Sequence, residues 1–194
     1  MISSPPSARE RILRTAHDLF YQNGVRATGI DRIIAESGVA KLTFYRHFPS
    51  KNALILAYLE DRHSRWMAWF IDAVTRYGGG PEAILPAIAE WMHDPSFRGC
   101  AFLNSVSELA DALPEVTEMT RCHKNALIDA IAGLLPETSQ RTDLAQAMAL
   151  AIDGAIVRAQ FDKTPEIALE GLQRIMQALG VRDGGQCRDV EQTR

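Results

Sequence analysis

An all-α chain is what this sequence predicts, and three observations carry the prediction. Apolar residues recur at three and four along nearly the whole length, the period of a half-buried helix. No stretch sustains the period-two alternation of a strand, and the one Asn-Gly pair, Asn23-Gly24, closes a helical pattern rather than joining two strands. Pro114, Pro136 and Pro165 fall between periodic segments, where proline costs least.

The elements follow in order. Ser7 can cap a first helix whose apolar residues Ile12, Leu13, Ala16, Leu19 and Phe20 share a face, with Asn23-Gly24 as its stop. A short helix over about 30–37 turns Ile30, Ile33 and Ile34 inward and ends at Gly38; another spans about 41–47. Ser50 caps a long helix carrying Leu54, Leu56, Leu59, Trp66, Phe70 and Val74. The Gly78-Gly79-Gly80-Pro81 run then breaks the chain. No Lys-Ser/Thr follows these glycines as it would in a phosphate-cradling loop, so they read as a connection. Further helices are predicted over about 82–93, 99–112, 115–134, 141–161 and 165–179. That makes roughly nine helices, divided as 1–52, 53–180 and a tail, 181–194, expected to be disordered because it has almost nothing to bury.

Bulk properties exclude several classes. With 46% apolar and 23% charged residues in 194, the composition is that of a globular chain able to bury a core. No apolar run approaches the roughly 20 residues that span a bilayer, and the N-terminus lacks the apolar segment of a secretory signal. A cytoplasmic location and no membrane partner are expected. Cys100, Cys122 and Cys187 are odd in number and widely spaced, which suits reduced thiols better than a disulfide framework. Residues 1–52 carry a net charge of +4 and the remainder −7, so a basic N-terminal quarter sits on an acidic body. Such asymmetry suggests local attraction to a polyanion.

The segment from Ile30 to His47 reads as two short helices joined at Gly38-Val39-Ala40, the helix-turn-helix arrangement. Glycine accepts the turn geometry and Val39 would plug the angle between the helices. On the second helix Leu42, Phe44 and Phe48 include residues able to anchor it, while Lys41, Thr43, Tyr45, Arg46 and His47 offer donors. In such a motif the second helix enters the major groove of double-stranded DNA.

The run from Thr28 to Leu54, "TGIDRIIAESGVAKLTFYRHFPSKNAL", resembles the DNA-binding signature of the tetracycline-repressor (TetR) family of bacterial regulators, and "ILRTAHDLFYQNG" before it is similar to that family's first helix. The likeness covers about residues 9–60. Ile34 stands where a small alanine is usual, and Leu42 where glycine, proline or alanine is frequent. The resemblance implies that Thr28 caps the second helix and bonds a phosphate, and that Lys41 and Thr43 reach base edges, with Leu42 facing the groove. It implies that Tyr45 and His47 bond phosphates, with Lys51 adding a contact beside a helix N-terminus, where anions are favoured. Lysine can pair with guanine and the threonine methyl can touch thymine. Arg46 is left without a role.

In the C-terminal two-thirds, Leu144, Met148, Ile152 and Ile156 repeat every four residues beside Ala147, Ala151, Ala155 and Ala159, a pairing of rows that lets another helix approach. The last helix offers Ile167, Leu172, Ile175, Met176 and Leu179. Both helices either complete one subunit's core or pair with a twofold mate; the resemblance implies the homodimer. Trp66, Phe70, Trp91 and Phe102 supply apolar surface, with Asn104 and His123 as polar groups. They read either as packed core or as a pocket for a partly apolar inducer, and the pocket is again what the resemblance implies.

Catalysis has little support. Cys122-His123 are adjacent on a helix and so point about 100° apart, and CxxC, HExxH and GxSxG are absent. No metal and no cofactor are expected. The functional expectation is a homodimeric repressor released from a palindromic operator by a small molecule; the alternatives are an activator or a DNA-binding dimer without a ligand.

Overall fold

The computed structural model describes residues 5–181, and every regular element among them is helical. The α-helices are α1 (Ala8–Asn23), α2 (Ile30–Ser37), α3 (Lys41–His47), α4 (Lys51–Arg76), α5 (Ile84–Met92), α6 (Ala101–Leu109), α7 (Glu115–Leu134), α8 (Arg141–Phe161) and α9 (Glu166–Ala178), with a 3-10 turn at Pro81–Ala83 before α5. No described helix is long and apolar enough to cross a membrane. Cys187 and the tail expected to be disordered lie outside the described residues from 182 onward.

The predicted stops and caps carry real bonds. Ser7 Oγ accepts the Glu10 N–H at 3.2 Å and Glu10 Oε2 accepts the Ser7 N–H at 2.7 Å, a reciprocal capping box. Ser50 Oγ accepts the Ala53 N–H at 3.1 Å. Gly38 ends α2 in the left-handed region (φ 65°, ψ 33°), which a side chain would strain.

Packing divides the described chain into two compact units. One comprises the residues up to Trp69 together with Pro95–Leu127; the other comprises Phe70–Asp94 and the residues from Ile128 onward. In the first, α1 packs on both α2 and α3, and Ile12, Ala16, Phe20, Ile33, Phe44 and Leu54 are buried. In the second, α8 packs on α9 and α5 packs on α9.

In the second unit most of the large residues expected at the dimer face are buried. Met148, Ile152 and Ile156 of α8 and Leu172 and Met176 of α9 are buried within their own subunit, Leu144 is half-buried, and Ile167 and Ile175 are exposed. The reason is that α8 is apolar on two sides. Its every-four row of large residues meets α9 and the core, whereas Leu150 (75% exposed), Val157 and Phe161 point outward. Periodicity reveals both stripes and does not say which one faces a partner.

Candidate nucleic-acid interface

The interface begins with the way α3 is anchored. Phe44 is fully buried and Phe48, just past the C-terminus of α3, nearly so, with ring centroids 6.3 Å apart. Arg9 of α1 lies over the Phe48 ring at 5.3 Å. Val39 is buried in the turn, and Arg11 Nε donates to the Ser37 carbonyl at 3.3 Å, tying α1 to the end of α2. One side of α3 is thereby committed to the core, and the other is left to solvent.

That outer side collects most of the predicted residues. Lys41, Leu42, Tyr45 and His47 are exposed and Thr43 is half-buried. Lys41 Nζ lies 3.5 Å from Asp31 Oδ1 of α2, an exposed pair that orients the ammonium more than it stabilises the fold. Tyr45 leans edge-on against Phe44 at 5.3 Å while its ring stays partly in solvent. Arg46, given no role by sequence, is also exposed. The signal for it was available: at about 100° per residue it shares a line with Leu42, four positions earlier.

One predicted residue is placed differently from the expectation. Thr28 does not cap α2. Gly29 holds the cap position without a side-chain bond, and the fully buried Thr28 donates its hydroxyl to the Gly24 carbonyl at 2.8 Å. Threonine near a helix start reads as a cap, but Thr28 stands two residues before Ile30, outside the cap position, and its hydroxyl closes the preceding turn instead. Lys51 is half-buried, with Nζ 3.5 Å from the Arg26 carbonyl. Burial lowers its pKa and the nearby Glu108 carboxylate opposes that shift.

Glu108 of α6 is the residue that sequence reasoning missed. Its carboxylate accepts the Val25 N–H at 3.2 Å and the Arg26 N–H at 2.6 Å, so it closes the turn after α1. An acid 82 positions away leaves no local pattern to find it by.

Three of the residues offered for a small-molecule pocket meet one another. Trp66, Phe102 and His123 come together in the first unit: Phe102 and His123 stack at 3.9 Å, and Trp66 meets the imidazole edge-on at 5.3 Å. His63 joins them, its Nδ1 3.1 Å from Nδ1 of His123, so that one nitrogen donates and the other accepts. Burial, with Lys124, His63 and Arg62 adding like charge, holds His123 down at about 3, so it is neutral near pH 7. Asn104 is directed elsewhere, donating to the Arg98 carbonyl at 2.9 Å. Asn104 also lines a separate cavity of about 220 Å³ with Tyr21, Tyr58 and Glu108. Phe70 and Trp91 belong to the other unit.

Cys100 and Cys122 are free thiols, and among the described residues no group of three or more His, Cys, Asp or Glu is arranged to hold a metal ion.

Comparison with known proteins agrees with this geometry. A family model described as bacterial regulatory proteins, tetR family, matches residues 12–58. The crystal structure of a TetR-family transcriptional regulator from Streptomyces coelicolor is 30% identical, covers 89% of this chain and 95% of that one, and superposes with a TM-score of 0.76. The transcriptional regulator EthR of Mycolicibacterium smegmatis is 26% identical over 87% of this chain and 83% of its own length. The transcriptional activator FasR of the same organism is 42% identical over 68% of this chain and 60% of its own length. Alignments with two other curated relatives span 56% and 18% of those proteins. These relatives are regulators rather than enzymes, in keeping with the absence of catalytic motifs.

Proposed function

The chain belongs to the TetR family of bacterial regulatory proteins and carries that family's DNA-binding domain, and from this premise we propose that it is a cytoplasmic homodimeric repressor, released from a palindromic operator by a small-molecule inducer. The observation that carries the DNA reading is the two-sided α3. It buries Phe44 and turns Lys41, Leu42, Tyr45, Arg46 and His47 outward. Lys41, Leu42 and Thr43 stand at the N-terminal end, which meets base edges in a helix-turn-helix. Tyr45, His47 and Lys51 supply donors for phosphates, which set register rather than sequence.

The dimer reading is moved to the outward stripe of the second unit. Ala147, Leu150, Ala151 and Gly154 of α8 and Ile167, Gly171 and Ile175 of α9 line a shallow groove of about 630 Å³. A Cβ added at Gly154 or Gly171 would meet nothing within 4 Å, so a second helix could approach closely there. Twofold pairing suits two recognition helices spaced about 34–36 Å apart, one turn of DNA.

An inducer site is proposed around Trp66, Phe102, His63 and His123, with an apolar body and two hydrogen-bonded imidazoles for polar contact. α4 runs from Lys51 beside the recognition module to Trp66, about 22 Å at 1.5 Å per residue. An inducer that prefers one placement of α4 would change operator affinity by its differential affinity for the two states. The relative FasR is named an activator, which keeps activation as the second reading; transcription in vitro from a promoter bearing the operator separates the two.

The decisive experiment is selection of bound sequences from random duplexes with the full-length protein. A palindromic consensus is expected, and failure to enrich any sequence would refute the reading. Candidate ligands titrated against the selected operator then test release; unchanged affinity at saturating ligand would remove the inducer from the scheme.

A further inference from the structure

The outer side of α3 holds one residue that charge does not explain. Leu42 is 73% exposed, among the largest exposures of any apolar side chain described. Phe44 and Phe48 mark the inner line of this segment. At about 100° per residue, Leu42 and Arg46 fall on the line opposite. Lys41 beside it places its ammonium 3.5 Å from Asp31 on α2, and the leucine side chain next to it stands largely in solvent.

The surroundings narrow what could cover it. The α3 sequence Lys-Leu-Thr-Phe-Tyr-Arg-His contains no acid, and Arg46 and His47 are both exposed. A purely apolar partner would have to desolvate these basic groups without compensation. A DNA duplex compensates them with phosphates. Its major groove also presents a single kind of apolar group on the base edges, the C5-methyl of thymine. Leu42 is the second residue of α3, within the N-terminal stretch that meets base edges in this motif.

Resting on the reading of α3 as the helix that enters DNA, we propose that Leu42 is a specificity-determining residue whose side chain packs on the C5-methyl of one thymine in each half-site. The contact adds no hydrogen bond. It selects thymine over cytosine and over unmethylated uracil by burying apolar surface on both partners.

Replacing thymine by deoxyuridine removes that methyl and leaves the pairing edge unchanged. The test uses the full-length protein and its selected operator, substituting each thymine in turn, symmetrically in both half-sites, and reading affinity by fluorescence anisotropy. At one position the wild-type protein loses about fourfold in affinity per half-site, the equivalent of one buried methyl group. Leu42→Ala binds the thymine and deoxyuridine duplexes at that position alike, whereas Leu42→Met retains the difference. Leu42 packs on nothing essential, so matching thermal melts verify that both variants are folded. If the wild-type protein is insensitive to every methyl, or if Leu42→Ala keeps the full penalty, the role of Leu42 is overturned while the operator reading stands. If no sequence is selected at all, the operator reading and this inference fall together.

Discussion

Glu108 accepts the backbone N–H of Arg26 at 2.6 Å, and the same carboxylate accepts the N–H of Val25 at 3.2 Å. Those two donors follow Gly24, which closes α1 with φ of 86°. A Cβ on Gly24 would meet Glu108 Oε1 at 3.1 Å in a conformation that L residues rarely adopt. A turn that glycine makes possible is thus finished by an acid from α6, and the path into α2 and α3 is held from outside the helix-turn-helix.

Glu108→Ala leaves two donors without their acceptor. The expected loss is about 1 kcal/mol, at the low end for such bonds because water reaches the Arg26 end. Glu108→Gln, which keeps one acceptor oxygen, should recover part of it. Urea unfolding measures both, and two variants with the wild-type midpoint would show that the turn holds itself.

At the recognition helix, Lys41→Ala and Tyr45→Phe should fail differently. Loss of a bidentate contact to guanine costs about 1–3 kcal/mol and relaxes preference at one operator position. Loss of the Tyr45 hydroxyl should weaken binding evenly across sequences, as a phosphate contact does. Titrations against the operator and its single-base variants distinguish the two patterns. Equal behaviour of both variants would mean that Lys41 reads no base.

The imidazole of His123 makes stability depend on pH. Its folded-state pKa lies at about 3, below the ordinary 6.5, through burial first and then Lys124, His63 and Arg62. His17 is lowered as well, by burial first and then by Arg62 and Arg65. A lowered histidine contributes its full stability above about pH 6.5 and loses it as the pH falls toward the folded value, because the unfolded chain then takes up the proton. Each such group gives a slope of up to about 1.4 kcal/mol per pH unit in that window. Urea unfolding between pH 4 and 8 should show a plateau at the alkaline end and a decline below about 6.5, made shallower by His123→Asn. An unchanged slope in that variant would assign the decline to other groups.

How much of this was readable beforehand depends on the range of the interaction. Ser7 and Ser50 were legible as caps because their partners lie three residues away. The predicted spans of α7 and α8 coincide with Glu115–Leu134 and Arg141–Phe161, since proline and polar turns punctuate both. Phe44 could be separated from Tyr45 because adjacent helical residues point about 100° apart. What failed was whatever required knowing the neighbour. Thr28 bonds backward to Gly24 instead of forward into α2. Trp66 and Trp91 share a residue type and fall in different units. Glu108 reaches a turn that nothing near it in the chain announces.

The two apolar stripes of α8 predict a second contrast. Met148→Ala removes a fully buried side chain and should cost about 2–5 kcal/mol in unfolding free energy. Leu150→Glu alters a side chain exposed in the subunit and should leave the fold intact while shifting sedimentation from dimer to monomer. If Leu150→Glu sediments as a dimer, the outward stripe is not the interface.

That outward stripe also bears on how the protein responds to dilution. If a second copy covers Leu150, Val157, Phe161 and Ile167, as the proposed dimer requires, each subunit draws part of its stability from association. Its melting temperature then climbs with the amount of protein present. Scarcity therefore acts twice on such a regulator: it lowers operator occupancy and makes each remaining molecule easier to unfold.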